Sequence, residues 1–343
     1  MKKTFLIFCL LFSTIFYGQE FKTPNAYFNY IGVEKEAICK LIWKYNVALA
    51  HSKNINEVNK LKRVLIENIR KSYEKIGFLS NGFNGDLEYK NNYLEYLTIS
   101  EKQINMHFEK ISNLKNYEAQ SFEELEKYLL ERAFINKSIK YQSEVLNKNQ
   151  VDFAKRYGFN FEESKNELSK KMKIAVEVFD NHTAMYLIYL KVYVNQSNLR
   201  NAIKSKNLQE AEKINRDLEK YTTEGLEKLK DFKPYGNDKS LVEATNKSLE
   251  VAKNEYLEYG KFSIEYIKDN IKFKENKTKI YSESDNLKKN ELINEFNKVI
   301  SLRNENIKKY NDLTLKFDSN RLIAFNNWNR IGEEFIAKYV PEN

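Results

Sequence analysis

IAVEVFDNHTAMYLIYLKVYV, residues 174–194, is long enough to cross a bilayer, carries one of the chain's three histidines and is rich in tyrosine. Its pattern decides between a membrane span and a buried helix. At about 100° per residue, Glu177, Asp180, Asn181, Lys191 and Asn195 gather on one narrow side. Those polar groups exclude a span, and the apolar remainder predicts a helix surrounded by other helices, with Lys191 exposed on the polar side. His182 falls in the middle of the apolar face. Val178 and Phe179 lie one turn before it, Met185 and Tyr186 one turn after, and Tyr189 and Tyr193 beyond. A buried imidazole there needs hydrogen-bond partners, which tyrosine hydroxyls or facing helices would supply. The alternative is a binding site at His182, Tyr186, Tyr189 and Tyr193. The core reading is preferred, because no second histidine or carboxylate stands at a helix-facing spacing.

Outward from this stretch the same period continues. Apolar residues recur at threes and fours with no sustained strand alternation, which predicts an all-α chain. Prolines are confined to Pro24, Pro234 and Pro341. About eight long helices follow: 26–52, 56–80, a third ending near Leu114, a fourth from Ser121 to Gly158, a fifth reaching Lys204, then 208–232, 240–281 and 286–338. The segment NGFNGD, 81–86, is the clearest loop, and Ser121-Phe-Glu-Glu124 and Asn160-Phe-Glu-Glu163 read as helix starts with capping carboxylates. Gly260 lies inside one of the last two helices, and the apolar stripe of the other falters at Arg303 and Arg321; a bend or break is expected there. The sum is an elongated multi-helix bundle, a single domain over 19–343 with a sub-boundary at 233–238.

MKKTFLIFCLLFSTIFYGQE, residues 1–20, has the charged, apolar and small-residue order of a secretory signal ending at Gly18. Its apolar run is too short for a spanning helix, which needs about 20 residues. Cys9 lies inside that run, where a lipid-attachment box would not place it. Export leaves Cys39 as the one thiol, so packing rather than disulfides must hold the fold. Cys39 borders the stripe of Ile31, Ile38, Ile42 and Tyr45 and is expected partly buried and reduced. The formal charge is +9. Outside the cytoplasm such charge suits anionic envelope polymers or lipid headgroups, although lysines that merely solvate helix faces explain it more simply. No nucleic-acid partner is expected.

The inventory for catalysis is thin. His51, His107 and His182 form no Glu-x-x-His, His-x-x-Glu or His-Glu-x-x-His pattern, and one cysteine makes no CxxC. No GxSxG elbow or glycine-rich phosphate loop occurs. No cofactor or metal is expected, and no catalytic residue is assigned. Two converging carboxylates among the 48 acidic residues remain open. The aromatic residues, Phe122, Tyr128 and Tyr186 among them, fall mostly on periodic faces, as core packing requires.

Six stretches together carry a resemblance: AYFNYI (26–31), WKYNVALAHSK (43–53), QSFEELEKYL (120–129), DFAKRYGFNF (152–161), NHTAMYLIYLKVY (181–193) and NNWNRIGEEFIAKYVP (326–341). They resemble an uncharacterised family of exported helical bacterial surface proteins, named after a leptospiral member and frequent in Bacteroidota. The resemblance implies a secreted or surface location and supplies no activity and no functional residue. The function expected is therefore that of a non-enzymatic envelope or surface protein that binds another macromolecule. The alternative is an exported protein acting on a small molecule or glycan in a cleft between helices.

Overall fold

A computed structural model describes residues 21–108, 122–161 and 167–342. The signal-like segment, the third helix's expected end near Leu114, the Ser121 cap and the carboxylates at 162–163 lie outside the described residues, as do the side chains of His107, Phe122 and Tyr128. The elements are α1 (Pro24–His51), α2 (Ile55–Gly77), α3 (Glu88–Phe108), α4 (Phe122–Arg156), α5 (Glu167–Lys204), α6 (Leu208–Lys230), a 3-10 turn (Tyr235–Asn237), α7 (Ser240–Asn254), a π-helical turn (Glu255–Gly260), α8 (Lys261–Ser282) and α9 (Asn286–Tyr339). The backbone stays helical from α7 through the π turn into α8, so the described residues form eight helical rods. They contain no strand, only an isolated bridge between Phe83 and Asp86. The fold is all-α, and no described helix is long and apolar enough to cross a membrane.

The helix starts follow from their caps. Thr23 Oγ1 accepts from Ala26 N at 3.2 Å, with Pro24 opening α1, where its missing N–H costs nothing. Asn54 accepts from Asn56 N at 3.1 Å and Asn207 from Glu210 N at 3.3 Å. The loop at 81–86 turns on Gly82, whose φ is +59°; a β-carbon there would sit 2.0 Å from Asp86 O. Arg156 at the end of α4 pairs with Asp86 and, at 2.8 Å, with Glu88, tying the loop down.

Contacts group the described residues into two compact units. One holds the residues up to Phe108, those from 127 to 175 and 340–342; the other holds 122–126 and 176–339. The Pro234 break falls inside the second. In the first unit α1 packs on α2 and α2 on α3. Its core is an aromatic cluster in which two of the quoted stretches meet. Phe28 stacks on Tyr89 at 5.3 Å and meets Phe161 edge-on at 4.9 Å, while Phe153 lies 4.6 Å from Tyr157. Lys35 Nζ reaches across to Gln150 at 2.6 Å and Asn147 at 3.1 Å. Cys39 is a free thiol of intermediate exposure, and burial pushes its pKa up.

In the second unit α9 packs along α7 and α8, and α6 packs on α7. The break expected near Gly260 is the π turn, while α9 runs without interruption past both Arg303 and Arg321. Arg303 stays on its stripe by laying its guanidinium 4.3 Å over the Phe273 ring.

Candidate functional site

The side chains singled out on α5 meet α9 inside the second unit. Tyr189 lies parallel to the Trp328 indole at 4.6 Å, with His182 at 5.3 Å and Tyr186 at 5.4 Å from the same ring. Tyr193 stacks on Phe325 at 5.3 Å. Trp328 Nε1 donates to Thr245 Oγ1 at 3.0 Å, so the indole is fixed on its polar edge as well. Tyr186 and Tyr189 are buried, and His182 and Tyr193 are half-buried. The column is continuous packing between two helices.

Two expectations about α5 need correction. His182 is not sealed in the core: opposite its ring stands Gly332, where a β-carbon would come 2.8 Å from Nε2. The glycine lets the backbone of α9 approach the imidazole. Lys191 is half-buried rather than exposed, its ammonium 3.9 Å above the Tyr221 ring. Asn195 is buried, its amide donating back to Lys191 O at 2.8 Å. The wheel expected Lys191 exposed and placed Asn195 on the same polar side.

The chemically most distinct cluster surrounds the π turn. Glu255 is completely buried, and Gln196 Nε2 on α5 donates to its Oε2 at 2.6 Å. Arg321 on α9 sets Nε 3.5 Å from Oε1 but directs that hydrogen to Phe317 O at 3.3 Å. Among the described residues Oε1 is therefore buried without a hydrogen-bond donor. The rest of the guanidinium is held by Asp318 and by Gln196 O, and Asp318 is in turn held by Arg200 at 2.5 Å. Burial raises the Glu255 carboxyl to about 7, against the pull of Arg321 and Gln196. Near neutral pH it therefore holds a proton for part of the time.

The π turn explains why a carboxyl points inward here. Widening one turn brings residues five apart towards the same face, so Glu255, Tyr256, Tyr259 and Gly260 are all buried. On the α6 side, a β-carbon at position 260 would lie 1.9 Å from Asn215 Oδ1. Glycine is required for that approach. A fully enclosed carboxyl has no path to a substrate, so its chemistry is confined to taking up a proton and anchoring the turn.

An open groove of about 1020 Å³ lies between α6, α7 and α9, its walls including Glu227, Lys230, Glu243, Glu250, Asn327 and Arg330. Two of its cations are engaged with neighbours: Lys230 holds Glu227 at 2.5 Å, and Arg330 holds Glu334 at 2.7 Å. Among the described residues no group of three or more His, Cys, Asp or Glu is placed to hold a metal ion.

No family model, no curated protein and no solved structure matches the chain.

The charged cluster had a sequence signal. Leu241, Thr245, Ser248, Ala252, Glu255 and Tyr259 repeat at fours and threes, and all six are buried. A carboxylate on that stripe, with Arg321 interrupting the stripe of another helix, marks two opposite charges facing each other in the interior.

Proposed function

We propose that the protein is exported and works at the cell envelope or surface by binding another component there, without catalysing a reaction. The observation that carries this reading is the α8–α9 hairpin. From Lys268 to Lys316 no described side chain is buried, yet Ile271, Tyr281, Leu287, Leu302 and Leu315 are exposed, Leu315 at 71%. Two helices alone cannot cover both their faces, and the apolar side chains left exposed along them are what a partner would cover. The signal-like order of residues 1–18 and the resemblance to exported helical surface proteins support the location. The groove between α6, α7 and α9 is what a small-molecule or glycan role would use, and the engagement of Lys230 and Arg330 with carboxylates weighs against it.

The test combines location and contact. Protein from the cells that make it should show an N-terminus near Gln19. A photo-crosslinking residue at Leu302 or Leu315 should capture a defined envelope component that the same residue at exposed Lys206 does not. An intact Met1 in the processed pool sinks the export reading, and indistinguishable products from all three positions sink the binding reading.

A further inference from the structure

We propose that the turn end of the α8–α9 hairpin docks on an anionic lipid surface, with Tyr281 and Leu287 entering the headgroup region and the surrounding lysines meeting lipid phosphates. The inference rests on the interaction reading above and names the partner for one end of the hairpin.

The two apolar side chains flank the turn directly, Tyr281 one residue before the end of α8 and Leu287 one after the start of α9. They are 74% and 79% exposed. Between Lys272 and Lys289 stand six lysines against three carboxylates. Two of those carboxylates are occupied in shaping the turn. Glu283 Oε1 accepts from Asp285 N at 2.9 Å, and Asp285 Oδ1 accepts from Leu287 N at 2.9 Å and Lys288 N at 3.3 Å. Their charge faces the N-terminus of α9, while Lys274, Lys277, Lys279 and Lys288 are all exposed.

An apolar pair at a convex end, ringed by lysines, matches a membrane interface term by term. Headgroup phosphates attract the ammonium groups, and the boundary beneath them takes a tyrosine and a leucine out of water. A soluble polyanion would meet the lysines but leave Tyr281 and Leu287 in water. A second copy of the same end would bring like charges together.

The test is cosedimentation of the protein, as recovered from the cells that make it, with mixed phosphatidylcholine–phosphatidylglycerol vesicles and with phosphatidylcholine alone. Tighter binding to the mixed vesicles is expected, weakened by added salt. Lys279→Gln with Lys288→Gln should lower it on the order of tenfold or more, from roughly fivefold per lysine. Tyr281→Ser with Leu287→Ser should lower it by about tenfold with all lysines present. Both pairs include exposed positions at the turn, and circular dichroism checks that the fold is intact. Equal binding to both vesicle types, or no loss in the Tyr281/Leu287 pair, overturns the proposal. Binding to soluble polyphosphate that this pair leaves unchanged, without vesicle binding, replaces lipid with an anionic polymer. If crosslinking at Leu302 captures an envelope protein while vesicles are ignored, the lipid inference fails and the interaction reading stands.

Discussion

Glu255→Gln tests whether the buried charge cluster governs stability. In the folded chain the carboxyl titrates at about 7 instead of its ordinary 4.5, chiefly because it is buried. Between those values the folded state keeps a proton that the unfolded chain has released. Stability contributed by this group is therefore full below about pH 4.5 and lost as the pH rises through about 7. A displacement of this size corresponds to on the order of 3 kcal/mol across the window. Glutamine keeps the shape and still accepts from Gln196, but it cannot ionise. Arg321 retains Asp318 and the carbonyls of Phe317 and Gln196. The variant should lie within about 1 kcal/mol of the parent near pH 5 and exceed it clearly at pH 8. Urea unfolding read by Trp328, in a Trp43→Phe background that leaves one tryptophan, reports the unit that holds the cluster. Asp238 does not confuse the window. Although burial pushes it up, hydrogen bonds from Lys338, Ser240 and Tyr339 hold it well below the usual carboxylate range, so its contribution is lost only at more acid pH. Parallel loss of stability in parent and variant between pH 5 and pH 8 would refute the assignment.

Gly260→Ala should destabilise by about 1–3 kcal/mol, because the new methyl group meets the buried Asn215 amide. Gly32→Ala in α1, with nothing within 4 Å of the added carbon, should stabilise by about 0.5–1 kcal/mol; paired denaturation curves check both signs. The Tyr189 hydroxyl is buried without a hydrogen-bond partner among the described residues. Tyr189→Phe should therefore leave stability equal or raise it by about 1 kcal/mol, and a loss of envelope binding in a stable variant would restore the ligand reading of this column. Cys39 should stay monomeric on non-reducing gels and react slowly with a thiol reagent at pH 8, since its burial disfavours the thiolate.

The architecture was legible because helical period, prolines and caps all point the same way. α1, α2 and α6 begin within two residues of the positions expected from sequence, where Thr23, Asn54 and Asn207 supply the missing acceptors. A helical wheel is weaker on exposure, and α5 shows the physical reason. It treats polarity as a demand for water, but Asn195 satisfies its amide on its own helix four residues back, and Lys191 has a tyrosine face to cover. Neither need be exposed. His182 errs in the other direction, half-buried against a glycine 150 positions later in the chain that spacing within α5 cannot reveal. Glu255 and Arg321 carry the same lesson into energetics. Each looks like a flaw in its own apolar stripe, and only the facing helix turns the two flaws into one buried pair. Removing Arg321 alone would leave the acid only the Gln196 amide, whereas neutralising Glu255 alone leaves the guanidinium its other acceptors. The two substitutions are thus unequal, a distinction that appears once the hydrogen bonds are counted and that spacing alone does not contain.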